Sequence, residues 1–531
     1  MTTRRSILAL AITTSLFLCG CVANRAYRRG DEVSPPEPPR SVDGILPSNA
    51  DCDPHSAVPL DAQPQHFYLA HIEFDDMGEL WSIGNLRGEK KGTSPSSQLE
   101  NALAIITKAQ AQANEPGDQR ELTVITFVHG WHNNASEYDE AHKDKNLASF
   151  KSMMQELSCW QMDKTQKPPV LVGIFLSWRG QGISGDPGVT YWTRRDAATR
   201  VGGPSMTEVV TRLMFETKGV PIAPSPDAES KCEPPDVKGK DHSHFVIIAH
   251  SFGARALEHA LTEPMLSMIL ERQMQARECA DEYNSNKPGK PITELTFLPP
   301  ADLIVFLNAA NDAFEAKETI EALKRAQIRV RKKTNNEAAE SIDTTAPFMI
   351  SITSDGDWAT KKIMPVAQLF SSWALRFRSY DKNCADEGQL CGLSQRYYYR
   401  HSEASMGEMR SHLVILAKDA SSCNSFPPPW PYFEVYSTNR CFCVDSSRAQ
   451  PNSTDKCGAN TDDRKAYFGA NPGWNDTPFY VMGVPESLIK DHNDIFQEGT
   501  VQLLNAISEH YEILFKSKER VTMSSPLATK P

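Results

Sequence analysis

Short apolar runs separated by longer amphipathic or polar stretches set the pattern of this chain. Leu122 to Val128, Val170 to Trp178, Phe245 to Ile248, Asp302 to Leu307, Pro347 to Thr353 and Pro478 to Gly483 are dense in β-branched and aromatic residues. Each is short and bounded by polar or turn-forming residues, as in strands buried on both faces. Other stretches carry the helical period. Leu147, Phe150, Met154 and Leu157 fall on one helical face, as do Val501, Leu504, Ile507, Tyr511 and Leu514. Leu103 to Ala113 and Ile320 to Val330 read as helices. Ser205 and Glu208 form a capping box ahead of Met206, Val209, Val210, Leu213 and Met214. His66 to Phe74 and Glu79 to Trp81 read as a strand pair around Asp75-Asp-Met-Gly78. Strands alternating with helices predict an α/β protein, its sheet mostly parallel and covered by helices on both faces.

The first residues follow a different pattern. Arg4 and Arg5 precede an apolar stretch from Ile7 to Leu18, which ends in Leu18-Cys-Gly-Cys21. Basic, apolar and then small residues make a targeting segment rather than part of the fold. It resembles a bacterial lipobox, in which Cys21 would be lipidated; bulky Leu18 makes Cys19 the poorer candidate. A plain secretory signal, an uncleaved anchor and a twin-arginine signal are the alternatives. In the lipoproteins it resembles, Val22 after the anchor implies the outer membrane, facing the periplasm. Residues 22–60, with Asp31-Glu-Val-Ser-Pro-Pro-Glu-Pro-Pro39, are expected to be a flexible linker. The core is then expected over 61–362 and 478–520, with an insertion at 363–477.

Composition changes this picture in two respects. At 531 residues the chain can bury one large core with insertions or two domains, and its net charge of -11 argues against nucleic acid as a partner. Of its 12 cysteines, Cys19 and Cys21 belong to the targeting segment, leaving an even number that could pair in an oxidising compartment. Cys441-Phe-Cys443 has the closest spacing to a metal half-site but lacks a matching half, so no zinc site is expected.

Candidate chemistry centres on Ala249-His-Ser-Phe-Gly253. A buried strand ends here and a helix-forming segment, Ala254 to Leu261, follows at once. Such a strand–turn–helix junction presents Ser251 above the sheet edge and puts the Phe252 N–H at a helix N-terminus, where it can stabilise an oxyanion. Alanine replaces the usual first glycine of the pentapeptide, and an ordinary strand-to-helix turn is the simplest competing reading. The strand ending at Val128 runs into His129-Gly-Trp-His-Asn-Asn134, whose Trp131 N–H is the candidate second oxyanion donor; a helix-capping role for Asn133 or Asn134 is compatible with it. His129 reads as a structural residue beneath the site. The Ser251 turn resembles the nucleophile turn of α/β hydrolases, and that resemblance implies an acid in Ser354-Asp-Gly-Asp-Trp-Ala359, where the family's usual spacing favours Asp357 and leaves Asp355 as the alternative. It likewise implies a base between the last strand and last helix, at His492. His412, opening Leu413-Val-Ile-Leu416, competes with it but reads as a buried structural residue; His242, His244 and His401 have no positional support.

Together, His129-Gly-Trp131, Ser177-Trp178 and Ala249-His-Ser-Phe-Gly253 resemble the α/β-hydrolase superfamily, in particular bacterial α/β hydrolases of unassigned substrate. The likeness spans about 120–360 well and 478–515 more loosely. It implies a Ser251-His492-Asp357 triad, with Phe252 and Trp131 as the oxyanion hole, acting on a small-molecule or lipid ester. A binding or assembly lipoprotein on the same scaffold and an acyltransferase are the other functions compatible with these residues. The 363–477 insertion carries Cys384, Cys391, Cys423, Cys441, Cys443 and Cys457, and is expected to cover the site entrance, stiffened by disulfides.

Overall fold

A computed structural model describes residues 26–27, 67–81, 98–135, 146–164, 167–182, 190–219, 243–286, 301–326, 347–373, 375–377, 394–416, 433–437, 441–444 and 477–510. The expected targeting segment with Cys21, most of the expected linker, and Cys384, Cys391, Cys423 and Cys457 lie outside them.

The apolar runs become the strands of one sheet. In chain order they are β1 (Tyr68–Phe74), β2 (Leu122–Val128), β3 (Val170–Trp178), β4 (Ser243–His250), β5 (Leu303–Leu307), β6 (Met349–Ser354), β7 (His412–Leu416), β8 (Phe433–Ser437), β9 (Cys441–Val444) and β10 (Phe479–Val484). They lie side by side as β1-β3-β2-β4-β5-β6-β10-β7-β8-β9. Every pairing from β1 across to β7 is parallel, while β8 and β9 run antiparallel. The protein is thus of the α/β class, with the C-terminal ends of its parallel strands along one edge.

Parallel strands need crossover connections, and helices supply them. These are α1 (Gln98–Ala113), α2 (Asn146–Lys164), α3 (Tyr191–Val201), α4 (Pro204–Lys218), α5 (Phe252–Asn286), α6 (Ala313–Ala326), α7 (Met364–Ser371), α8 (Gln395–Arg400) and α9 (Glu498–His510). Successive strand residues point to opposite faces, so each strand feeds two cores. Phe245, Ile247 and Ala249 of β4 pack with Met206, Val209 and Val210 of α4 and Leu257 of α5. Val246 and Ile248 join Phe150 and Met154 of α2 and Leu503 and Ile507 of α9 on the other face. Each fully buried aromatic, such as Phe127, Phe175 and Phe306, contributes about 1.5–3 kcal/mol relative to exposure.

Four expectations are revised. The Glu79–Trp81 partner strand reduces to a single bridge between Phe74 and Leu80, closed by the Trp81 N–H on the Glu73 carbonyl at 3.1 Å. No capping box forms at Ser205: Pro204, with its fixed φ, already occupies the first turn of α4, and Gly203 is the N-cap. The expected linker is held at one point, since the Tyr27 N–H donates to both carboxylate oxygens of Glu73 at 2.9 and 3.2 Å. Finally, the described parts of the 363–477 insertion belong to the body rather than to a separate cover. β7 continues the sheet beside β10, and Tyr398, Ala404, Met406 and Met409 are buried in the core. The reason is that these residues supply apolar side chains to the β6–β10 side of the sheet, which would otherwise be bare.

Candidate active site

β4 ends at His250, and α5 begins at Phe252, leaving Ser251 alone at the turn. Its φ is +54°, a left-handed conformation that a side chain adopts only under constraint. Neighbouring carbonyls and amides fix it: the Ser251 N–H donates to Leu307 at 3.2 Å, and the Ser251 carbonyl accepts from Ala310 at 3.1 Å. Close packing also explains the glycine pattern of the turn. A Cβ on Gly253 would lie 2.4 Å from the carbonyl oxygens of both Val128 and His129, so no side chain fits there. Ala249, in contrast, packs its methyl into the core, which accounts for alanine at that position.

His492 lies on the loop between β10 and α9. Its Nε2 accepts from the Ser251 hydroxyl at 2.8 Å, and its Nδ1–H donates to Asp357 Oδ1 at 3.0 Å. Asp357 is fully buried and takes two further bonds, from the Thr360 N–H at 3.1 Å and the Thr360 hydroxyl at 2.6 Å. Burial acts to raise its pKa, but the charge of His492 and these hydrogen bonds outweigh burial and hold the carboxyl below its ordinary value. Asp355, the alternative acid, points away: it pairs with Lys361 at 2.8 Å and Arg410 at 3.6 Å and is exposed. The structure therefore brings Ser251, His492 and Asp357 together and leaves Asp355 out.

Gly130 brings the β2 loop against the turn. A Cβ there would come 2.6 Å from the Ser251 Cβ, so the backbone of Gly130 and Trp131 lies beside the serine. Phe252 opens α5 immediately after Ser251. His129 is fully buried beneath, its Nδ1–H donating to the Gly130 carbonyl at 2.9 Å and its Nε2 accepting from the Ser177 hydroxyl at 2.8 Å and the Trp178 N–H at 3.1 Å. The Trp178 indole N–H returns a bond to the His129 carbonyl at 2.9 Å. Burial lowers the His129 pKa to about 4. This ring is a neutral brace that ties the Ser177-Trp178 pair to the loop beside Ser251. His412 is likewise structural: buried at the start of β7, it stacks on Tyr480 at 3.9 Å, and burial lowers its pKa to about 3.

Two residues not singled out in the sequence hold the histidine loop. His250 donates from Nε2 to the His492 carbonyl at 2.8 Å; burial first, and then the neighbouring His492, lower its pKa to about 3. Asn308, at φ +45° just past β5, donates to the carbonyls of Asp491 and His492, both at 3.1 Å, and accepts from the Ser354 N–H at 2.9 Å. The signals were present, a polar residue ending each of two buried strands, but only the spatial neighbourhood of β4, β5 and the last loop gives them meaning. A wall of aromatic rings flanks the serine. Phe252 lies 5.9 Å from Trp131 and 5.3 Å from Tyr191, and Tyr191 lies 5.8 Å from Trp192.

No known protein-family model, curated protein or solved structure matches the chain.

Proposed function

We propose that the protein is a serine hydrolase of the α/β-hydrolase kind that cleaves acyl esters at the cell envelope. The observation that carries this reading is the unbroken relay from the Ser251 hydroxyl through His492 to buried Asp357, at 2.8 and 3.0 Å. Asp357 fixes the tautomer of His492 with the proton on Nδ1, which leaves Nε2 free to take the Ser251 proton. Ser251 Oγ then adds to the carbonyl carbon of the ester. The backbone N–H groups of Phe252 and Trp131 stabilise the resulting oxyanion. His492 returns the proton to the departing alkoxide, giving an acyl-enzyme and an alcohol. A water deprotonated by the same ring releases the acid.

The envelope address rests on the targeting segment ending at Cys21, which would carry the lipid anchor. It gains support from Cys159, which is disulfide-bonded, as an oxidising compartment permits.

A fluorophosphonate probe tests the relay, because it reacts only with an activated serine. Wild type should be labelled and Ser251→Ala should not. Folded wild-type protein that resists labelling would sink the reading and turn attention to binding partners instead.

A further inference from the structure

The segment after Asp357 is unusual for its exposure. A π-helical turn (Ala359–Ile363) leads into α7, which buries Met364, Ala367 and Gln368 and turns the opposite face outward. That outward face carries Val366, Leu369 and Phe370, with Trp358 and Ile363 on its approach and Trp373 in the turn just past it; Trp373 is 83% exposed, Phe370 62% and Trp358 60%. Spacing of i, i+3 and i+4 puts Val366, Leu369 and Phe370 on one stripe. Bulky apolar residues gathered so openly mark a surface that meets something else.

Three observations indicate what it meets. The first is charge. From Trp358 to Phe377 the chain holds Lys361, Lys362 and Arg376 and no carboxylate, although the whole protein carries a net charge of -11. Lys361 pairs with Asp355, whereas Lys362 and Arg376 are exposed. Tryptophan and phenylalanine bordered by cations suit the interface of an anionic bilayer.

The second is the tether. Tyr27 is fixed to Glu73, the residue before the C-terminal end of β1, and that end lies on the same sheet edge as Ser251 and α7. Only five residues lie between Cys21 and Tyr27, a span of six Cα steps and a reach of about 21 Å at full extension. An anchor so short keeps this edge, rather than the opposite one, toward the membrane.

The third is continuity. Trp192 donates its indole N–H to the Ala367 carbonyl of α7 at 3.4 Å and heads the run of rings through Tyr191 to Phe252, next to Ser251. Gln368 of α7 donates to Asp312 at 2.8 Å, and Asp312 also pairs with Arg195 of α3 and Arg255 of α5, both at 3.0 Å, so the helix is firmly set on this edge.

We propose that the outward face of α7, with Trp358 ahead of the π-helical turn and Trp373 just past the helix, seats in the headgroup layer of the membrane that holds Cys21, so that Ser251 opens onto lipid. The proposal rests on the lipid-anchor reading and is independent of whether Ser251 turns over. Among the described residues no helix is long and apolar enough to cross a membrane, which fits a surface contact.

The test uses the full lipidated protein in phosphatidylethanolamine–phosphatidylglycerol vesicles, with and without bromine on the acyl chains. Brominated lipid should quench part of the wild-type tryptophan emission, and a Trp358→Phe/Trp373→Phe variant should lose that quenching while Ser251 keeps its fluorophosphonate labelling. Unquenched wild type, or a variant quenched as strongly, overturns the proposal. So does a patch shielded from aqueous iodide yet unquenched by lipid: shielding that grows with protein density would identify a second copy as the occupant, and constant shielding another segment of the same chain. Absence of the diacylglyceryl mass at the mature N-terminus would overturn it at the anchor. Quenching without Ser251 labelling would count against the hydrolase reading alone.

Discussion

Ser251 occupies a left-handed backbone conformation and donates its hydroxyl proton toward a ring held from both sides. Such a conformation costs on the order of 1 kcal/mol and persists because β4, α5 and the Leu307 and Ala310 backbone over-determine it. The two candidate acids differ in ways that a substitution can read. Asp357→Asn keeps the shape of the relay but can donate where Asp357 accepts, which favours the wrong His492 tautomer. Turnover of a p-nitrophenyl ester should fall on the order of a thousandfold or more, chiefly in kcat. Asp355→Asn removes the pairs that this exposed carboxylate makes with Lys361 and Arg410, surface contacts worth ~0–1 kcal/mol each, and should leave kcat nearly unchanged. Equal losses in the two variants would contradict the assignment.

At the scale of elements, the turn between β4 and α5 depends on how closely it meets β2. Gly253→Ala drives a methyl into the Val128 and His129 carbonyls at the end of β2 and should cost about 1–3 kcal/mol, read as a lower urea midpoint together with slower fluorophosphonate labelling. An unaltered midpoint would mean that the contact can relax. These elements were largely legible in the sequence, because buried parallel strands are written as continuous apolar runs and the serine turn has its own local signature. What was not legible depended on partners distant in the chain. Leu413 to Leu416 look like any apolar run, and only β10 makes them a sheet strand. α3 carries polar Arg194 and Arg195 toward the interior, where Asp76 and Asp312 receive them, so its pattern conceals its burial. His250 and Asn308 likewise act on a loop whose sequence lies far from their own.

Across the whole molecule, stability should depend on pH through a buried carboxyl. Glu403 is fully buried and accepts from the Ser351 hydroxyl at 2.6 Å; burial raises its pKa to about 7 from an ordinary 4.5. The unfolded chain therefore loses this proton first, and stability falls as pH rises through the window from 4.5 to about 7, then levels off. Glu403→Gln should flatten that decline by no more than about 3 kcal/mol, seen by comparing urea midpoints of both proteins at pH 5 and pH 8. Equal slopes would show that Glu403 does not hold its proton in the fold. The position of β10 has a different consequence. β10, the last strand among the described residues, lies between β6 and β7, and the β7–β9 unit joins the rest of the sheet through it. During synthesis, then, everything up to residue 478 must wait with a slot open in the sheet, and the base is delivered by the same closing stretch. A truncation anywhere before β10 would therefore remove, in one cut, the strand that joins the two parts of the sheet and the histidine that faces Ser251.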